Sequence, residues 1–135
     1  MELRDRFDFI RNKAKLFGAE GVGFLPAESL NRLAAGGAAI ESAWLRARTV
    51  IVLAIWTLGN SEEIKVTEDS ILNSMAYKLA VWLSEKHIAS VYMPRGDSVT
   101  RLFPHDLAAK EAKSDTIRDD RFKTVSVLSS FDFGS

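Results

Sequence analysis

The sequence contains no cysteine. That excludes disulfides, thiolate zinc sites, a cysteine nucleophile and any iron–sulfur cluster held by this chain. Histidine occurs only at His87 and His105, too few for a histidine-rich metal centre. An excess of charge of either sign is also missing, because 18 lysines and arginines balance 18 acidic residues. Without a basic surplus the chain lacks the electrostatic footprint of a general nucleic-acid or anionic-membrane binder. No apolar run reaches the roughly 18 residues of a membrane span. The opening residues Glu2, Arg4 and Asp5 are charged and do not form a signal sequence, so the expected location is the cytoplasm.

What is present points to an ordinary core. At 135 residues, 47% of them hydrophobic, the chain is expected to fold as one domain, 1–135. Its centre is the stretch Thr49, Val50, Ile51, Val52, Leu53, Ala54, Ile55 and Trp56. This β-branched run is too short for a membrane span and has no polar alternation, as in a strand covered on both faces.

The flanking segments alternate in type. Leu3, Phe7, Ile10, Ala14 and Phe17 form one helical face, stopped at Gly18. A short strand follows at Val22–Leu25, then a short helix over 28–35. Beyond the central strand, Leu72, Met75, Ala76, Leu79, Ala80 and Leu83 mark the longest helix, with Thr67 the expected N-cap. Strands are expected over 89–93 and 122–130, with a helix from Pro104 to Lys113 between them. Phe131 and Phe133 require a surface to pack on. Helix–strand alternation of this kind predicts a three-layer α/β sandwich around a mostly parallel or mixed sheet of about four strands.

Ligands in open α/β sheets collect beyond the carboxyl ends of strands. There the loop after Pro94 concentrates Arg95, Asp97, Ser98, Thr100 and Arg101, with His105 one turn on. Arg95 and Arg101 suit bidentate binding of a carboxylate or phosphate. Asp97 and His105 are the candidate catalytic pair, Asp97 as a general acid if burial raises its pKa. The same residues equally describe a solvated loop in which Asp97 caps a turn. Gly21 and Gly23 lack the third glycine and the preceding strand of a dinucleotide-binding turn.

Several segments together resemble one known family. Gly18, Val22, Gly23, Phe24, Pro26 and Ala27 follow the order helix, glycine, strand, Pro-Ala. Arg48, Thr49, Val50, Ile51, Val52 and Leu53 match a characteristic strand. Leu79 to Lys86, Leu102 to Ala112 and Lys123 to Ser130 match the later elements in order. This pattern is similar to the N-terminal domain of the epoxyqueuosine reductase family, relatives of the reductive dehalogenases. The resemblance implies a cobalamin-binding domain, fed with electrons by a ferredoxin-like domain bearing two four-iron clusters. The family's glycine- and tryptophan-rich loop should follow Ala112, but Lys113, Ser114, Asp115 and Thr116 stand there instead. The family's catalytic aspartate falls near Asp97 or Val99.

Two functions are therefore expected as alternatives. The first is a reduced relative of that domain, binding cobalamin or, alternatively, FMN at the strand ends. Arg95, Asp97, Arg101 and His105 would be its polar contacts, Trp56 and Tyr92 its apolar ones, and a redox partner protein its electron source. The second is a non-catalytic interaction module that forms a homodimer or binds another protein through Phe131 and Phe133. A small hydrolase or isomerase using Asp97 and His105 is a third, weaker expectation.

Overall fold

The computed structural model describes residues 3–33, 46–95, 105–112 and 121–133. In chain order its elements are α1 (Leu3–Leu16), β1 (Gly21–Pro26), α2 (Ala27–Leu33), β2 (Thr49–Trp56), α3 (Glu62–Glu85), β3 (Ser90–Met93), α4 (His105–Glu111) and β4 (Phe122–Ser129). The apolar run is β2. Its residues from Thr49 to Ile55 are all buried, and only Trp56 is exposed.

The four strands lie in the order β1-β2-β4-β3. Every neighbouring pair is antiparallel: β1 with β2, β2 with β4, and β3 with β4. This corrects the expected parallel or mixed sheet. β2 and β3 do run the same way, joined across α3, but β4 lies between them and reverses every contact. A continuous apolar run reports burial on two faces and is blind to the direction of the neighbours, which is why the sequence pattern misled. β4 is interior, and antiparallel to both of its neighbours.

Side-chain alternation feeds two layers. Ile51, Leu53, Val125 and Val127 pack against Ile10 of α1 and Leu72 and Leu79 of α3. Val50, Val52 and Leu128 pack on the other face against Leu30 of α2 and Ala108 of α4. Each such fully buried leucine or valine contributes about 1.5–3 kcal/mol relative to an exposed one. No helix among the described residues is long and apolar enough to cross a membrane.

The long helix starts earlier than its apolar stripe. Ser61 is the N-cap, its Oγ accepting from the Ile64 N–H at 3.2 Å, while Thr67 lies inside the helix with its hydroxyl on the Glu63 carbonyl. The first turn and a half is mostly exposed and carries no periodic apolar signal. Glu62 and Glu63 occupy the positive end of the dipole. Glu68 and Asp69 fall in the second turn.

α1 and α3 end alike. After α1, the Ala19 N–H reaches the Ala14 carbonyl and the Gly18 N–H reaches that of Lys15, with Gly18 at φ 115°. After α3, Ile88 reaches Leu83 and His87 reaches Ser84, with His87 at φ 65°. This closure needs a left-handed residue, which glycine adopts freely and histidine does not. Replacing the exposed His87 by glycine is expected to raise stability by about 0.5–1 kcal/mol, the relief of strain less the entropy of a looser unfolded chain. Urea denaturation measures it, and a loss of stability would count against the strain.

The C-terminal aromatics find their surface within the chain. Phe131, 6% exposed, meets the Phe7 ring edge-on at 5.9 Å, and Phe133 lies 5.3 Å from the same ring. Phe7 in turn stacks on Phe24 at 4.6 Å. α1 therefore covers Phe131, which is not free to serve as an exposed contact, while Phe133 is half-buried.

Candidate site at the carboxyl end of β2 and β3

β2 and β3 end at the same side of the sheet, beside the start of β4, the first half of α3 and the first residue of α4. Four buried polar residues lie on the two faces of this end: Glu68 on the α3 face, and His105, Thr124 and Ser126 on the α2 and α4 face. Glu68 is the most telling. It continues the apolar stripe of α3 one turn before Leu72, and it is fully buried. Its Oε2 accepts from the Leu58 N–H at 2.7 Å, which pins the segment after β2 to α3. Its Oε1 accepts no hydrogen bond among the described residues. The nearest charge to Oε1 is Lys123 Nζ, 3.9 Å away.

Lys123 also lies 2.8 Å from Asp69 Oδ1 and donates to the Lys65 carbonyl at 3.2 Å. Asp69 shares that oxygen with Arg95 Nε at 3.2 Å. Arg95 extends β3 past its last ladder residue. Asn73 bonds both its N–H (2.8 Å) and its carbonyl (3.1 Å), so that a side-chain amide stands in for a neighbouring strand. The Arg95 guanidinium then donates to the Thr124 carbonyl on β4 at 2.8 Å. Two cations and two carboxylates are thus interlocked, and among the described residues the cluster is balanced in charge.

His105 opens α4 and is 8% exposed. Its Nδ1 lies 3.2 Å from Ser126 Oγ. Its pKa is lowered from 6.5 to about 4, first by burial and then by the positive charge of Arg95, against the opposing effects of Asp69 and the Pro94 backbone hydrogen bond. Desolvation is the main cause of the neutral imidazole.

Of the residues singled out in the sequence, Arg95 and His105 are brought together. Trp56 lies on the same sheet face as His105's partner Ser126, at the end of β2. It is 39% exposed, edge-on to Phe122 at 5.1 Å, with the Arg121 guanidinium 4.4 Å from its ring centre. Tyr92 lies across the sheet, against Tyr77 of α3 (6.0 Å), and takes no part in the cluster. Asp97 and Arg101 lie outside the described residues. Glu68, Asp69, Asn73, Lys123 and Ser126 were missed. The signal for Glu68 was legible as a charge at the i−4 position of the stripe Leu72, Met75, Leu79; the others carry no such mark.

Chemically, a charge-balanced cluster with a neutral imidazole selects a ligand by shape and hydrogen bonding more than by net charge. No group of three histidine, aspartate or glutamate side chains poised to hold a metal ion occurs among the described residues. No family model, curated protein or solved structure matches this chain.

Proposed function

We propose that this chain is a small-ligand-binding domain, a reduced relative of the cobalamin-binding domain of the epoxyqueuosine reductase-like proteins. Its ligand is a corrinoid or a flavin-like planar group, seated beyond the carboxyl ends of β2 and β3. The observation that carries this reading is the set of buried polar groups on the α2 and α4 face, His105, Thr124 and Ser126, on the same face as the exposed ring of Trp56. Buried polar groups are costly unless paired, and apolar side chains would serve a purely structural sheet end as well.

In this reading Trp56 offers an exposed ring for apolar contact. Arg95 and the neutral His105 form the polar wall, and Asp97 and Arg101 stand between them in the sequence. The residues present fit a large ligand without a strong charge, because Arg95 and Lys123 are balanced by Asp69 and Glu68 among the described residues. A corrinoid or flavin would bring redox chemistry. This chain would bind and orient it, with electrons drawn from a partner protein.

Titration with hydroxocobalamin and, separately, with FMN tests the reading. Binding is expected to shift the absorption spectrum of one of them and to raise the melting temperature, by about 2.7 kcal/mol of added stability at a hundredfold excess over Kd. Trp56→Ala should weaken that binding while leaving the far-UV circular dichroism unchanged. Absence of any spectral or thermal change with both ligands removes the proposal.

A further inference from the structure

β3 stands at the end of the sheet order, with β4 on one side. The direction of its backbone groups follows from one bond. The Ser130 N–H donates to the Ala89 carbonyl at 2.9 Å, and Ala89 is the residue opposite Ser130 in the β3–β4 register. Ala89 therefore turns its backbone toward β4, and so do Val91 and Met93, because direction alternates along an antiparallel strand. Ser90 and Tyr92 turn their N–H and C=O groups outward, past the edge of the sheet.

Among the described residues, β3 itself carries neither charge nor proline. Edge strands are commonly blunted by charges or proline, and β1 at the opposite edge ends in Pro26. β3 reads Ser90, Val91, Tyr92, Met93, with no charge. Beside it, between α3 and β3, runs a groove of about 530 Å3 lined by Tyr77, Ala80, Val81, Ser84 and Tyr92, with Glu85 the one charge in its described lining. Tyr77 is 56% and Val81 38% exposed. In a chain that is 27% charged, a surface this poor in charge has the composition of an interface core.

We propose that β3 pairs antiparallel with β3 of a second copy of this chain, joining two four-stranded sheets across a two-fold axis. The register is set by the backbone. Placing Val91 opposite Val91 sets Ser90 of each copy against Tyr92 of the other, so all four outward groups of each copy are bonded. Shifting the centre to Tyr92 would set Ser90 against Pro94, which has no N–H to give. Side chains agree with the first register, since on the α3 face the small Ser90 meets the large Tyr92. A two-fold arrangement also makes the uncharged stripe of α3 face its own copy, so no like charges meet. Glu85, at the carboxyl end of α3, falls near the Tyr77 end of the other helix and away from its own equivalent. The contact is isologous and closes at two copies.

Sedimentation velocity over a concentration series tests the pairing. The expected result is a species of about twice the mass of one chain at high concentration, with slow amide exchange at Ser90 and Tyr92. Val81→Glu, which places a carboxylate in the groove, should yield a monomer with unchanged circular dichroism and fast exchange at both amides. Ser90→Pro removes one outward N–H per copy and no ladder bond to β4, and should also give a monomer. If that variant fails to fold, Val81→Glu decides alone. A monomer at every concentration overturns the proposal, as does a dimer that survives Val81→Glu. Protection of the two amides that appears only when a different protein is added overturns it too. Ligand binding at the far end of the sheet is measured separately, so neither result depends on the other.

Discussion

Replacing Lys123 by alanine is expected to destabilise the fold by about 3–5 kcal/mol, a large share of what holds a domain of this size together. Lys123 Nζ is the cation nearest the fully buried Glu68, and it also lies 2.8 Å from Asp69. Its removal leaves the fully buried Glu68 with one hydrogen bond, from Leu58, and no compensating cation among the described residues. An exposed ion pair contributes about 0–1 kcal/mol, so the measured size separates the two cases. The double variant Lys123→Ala, Glu68→Gln should recover most of the loss, because the glutamine carbonyl still accepts the Leu58 N–H and no buried charge remains. Urea denaturation of wild type, both single variants and the double variant gives the coupling directly. A loss below about 1 kcal/mol in Lys123→Ala would show that Glu68 is hydrated or otherwise compensated.

The second large effect depends on pH. The unfolded chain takes up a proton at His105 near pH 6.5, whereas the folded chain does so only near pH 4. Between these values the unfolded state binds more protons, so stability falls as pH falls. The loss amounts to about 3 kcal/mol across the window. Above pH 6.5 the contribution is fully present, and below pH 4 no more is lost through this group. His105→Gln should flatten the stability profile between pH 6.5 and 4 relative to wild type. The difference between the two profiles isolates His105 from the carboxylates that titrate nearby. A proton NMR titration should place the ring's midpoint close to 4; a midpoint near 6.5 would contradict burial of the imidazole.

How much of this was legible in the sequence varies by element. Val50 to Ile55 were recognisable as doubly covered, because both faces of the strand are apolar. The direction of their neighbours was not, since the cross-strand partners of β2 lie some 30 residues upstream and 70 downstream, and nothing local to β2 records which way they run. The start of α3 was misplaced because residues 62–67 are largely exposed and have no apolar period, so the true cap, Ser61, looked like part of a turn. His105 was noticed, but its burial depends on Ser126, 21 residues away, and on charges from α3 and Arg95. Phe131 appeared unpartnered because its partner, Phe7, is at the other end of the chain. Among the site residues, only those clustered in sequence, Arg95 and His105, could be grouped in advance. Asp69 and Lys123 meet across more than 50 residues, and no spacing rule brings such a pair together.

The position of β4 has a consequence for how the polypeptide acquires its shape. During synthesis, β2, α3 and β3 emerge from the ribosome before the strand that belongs between them. Until residues 122–129 follow, the nascent chain holds a vacant slot flanked by two aliphatic strands, and pairing β2 directly with β3 would be a competing trap in parallel orientation. Closure must wait for the last strand to thread into place, a step of long sequence separation and correspondingly slow rate.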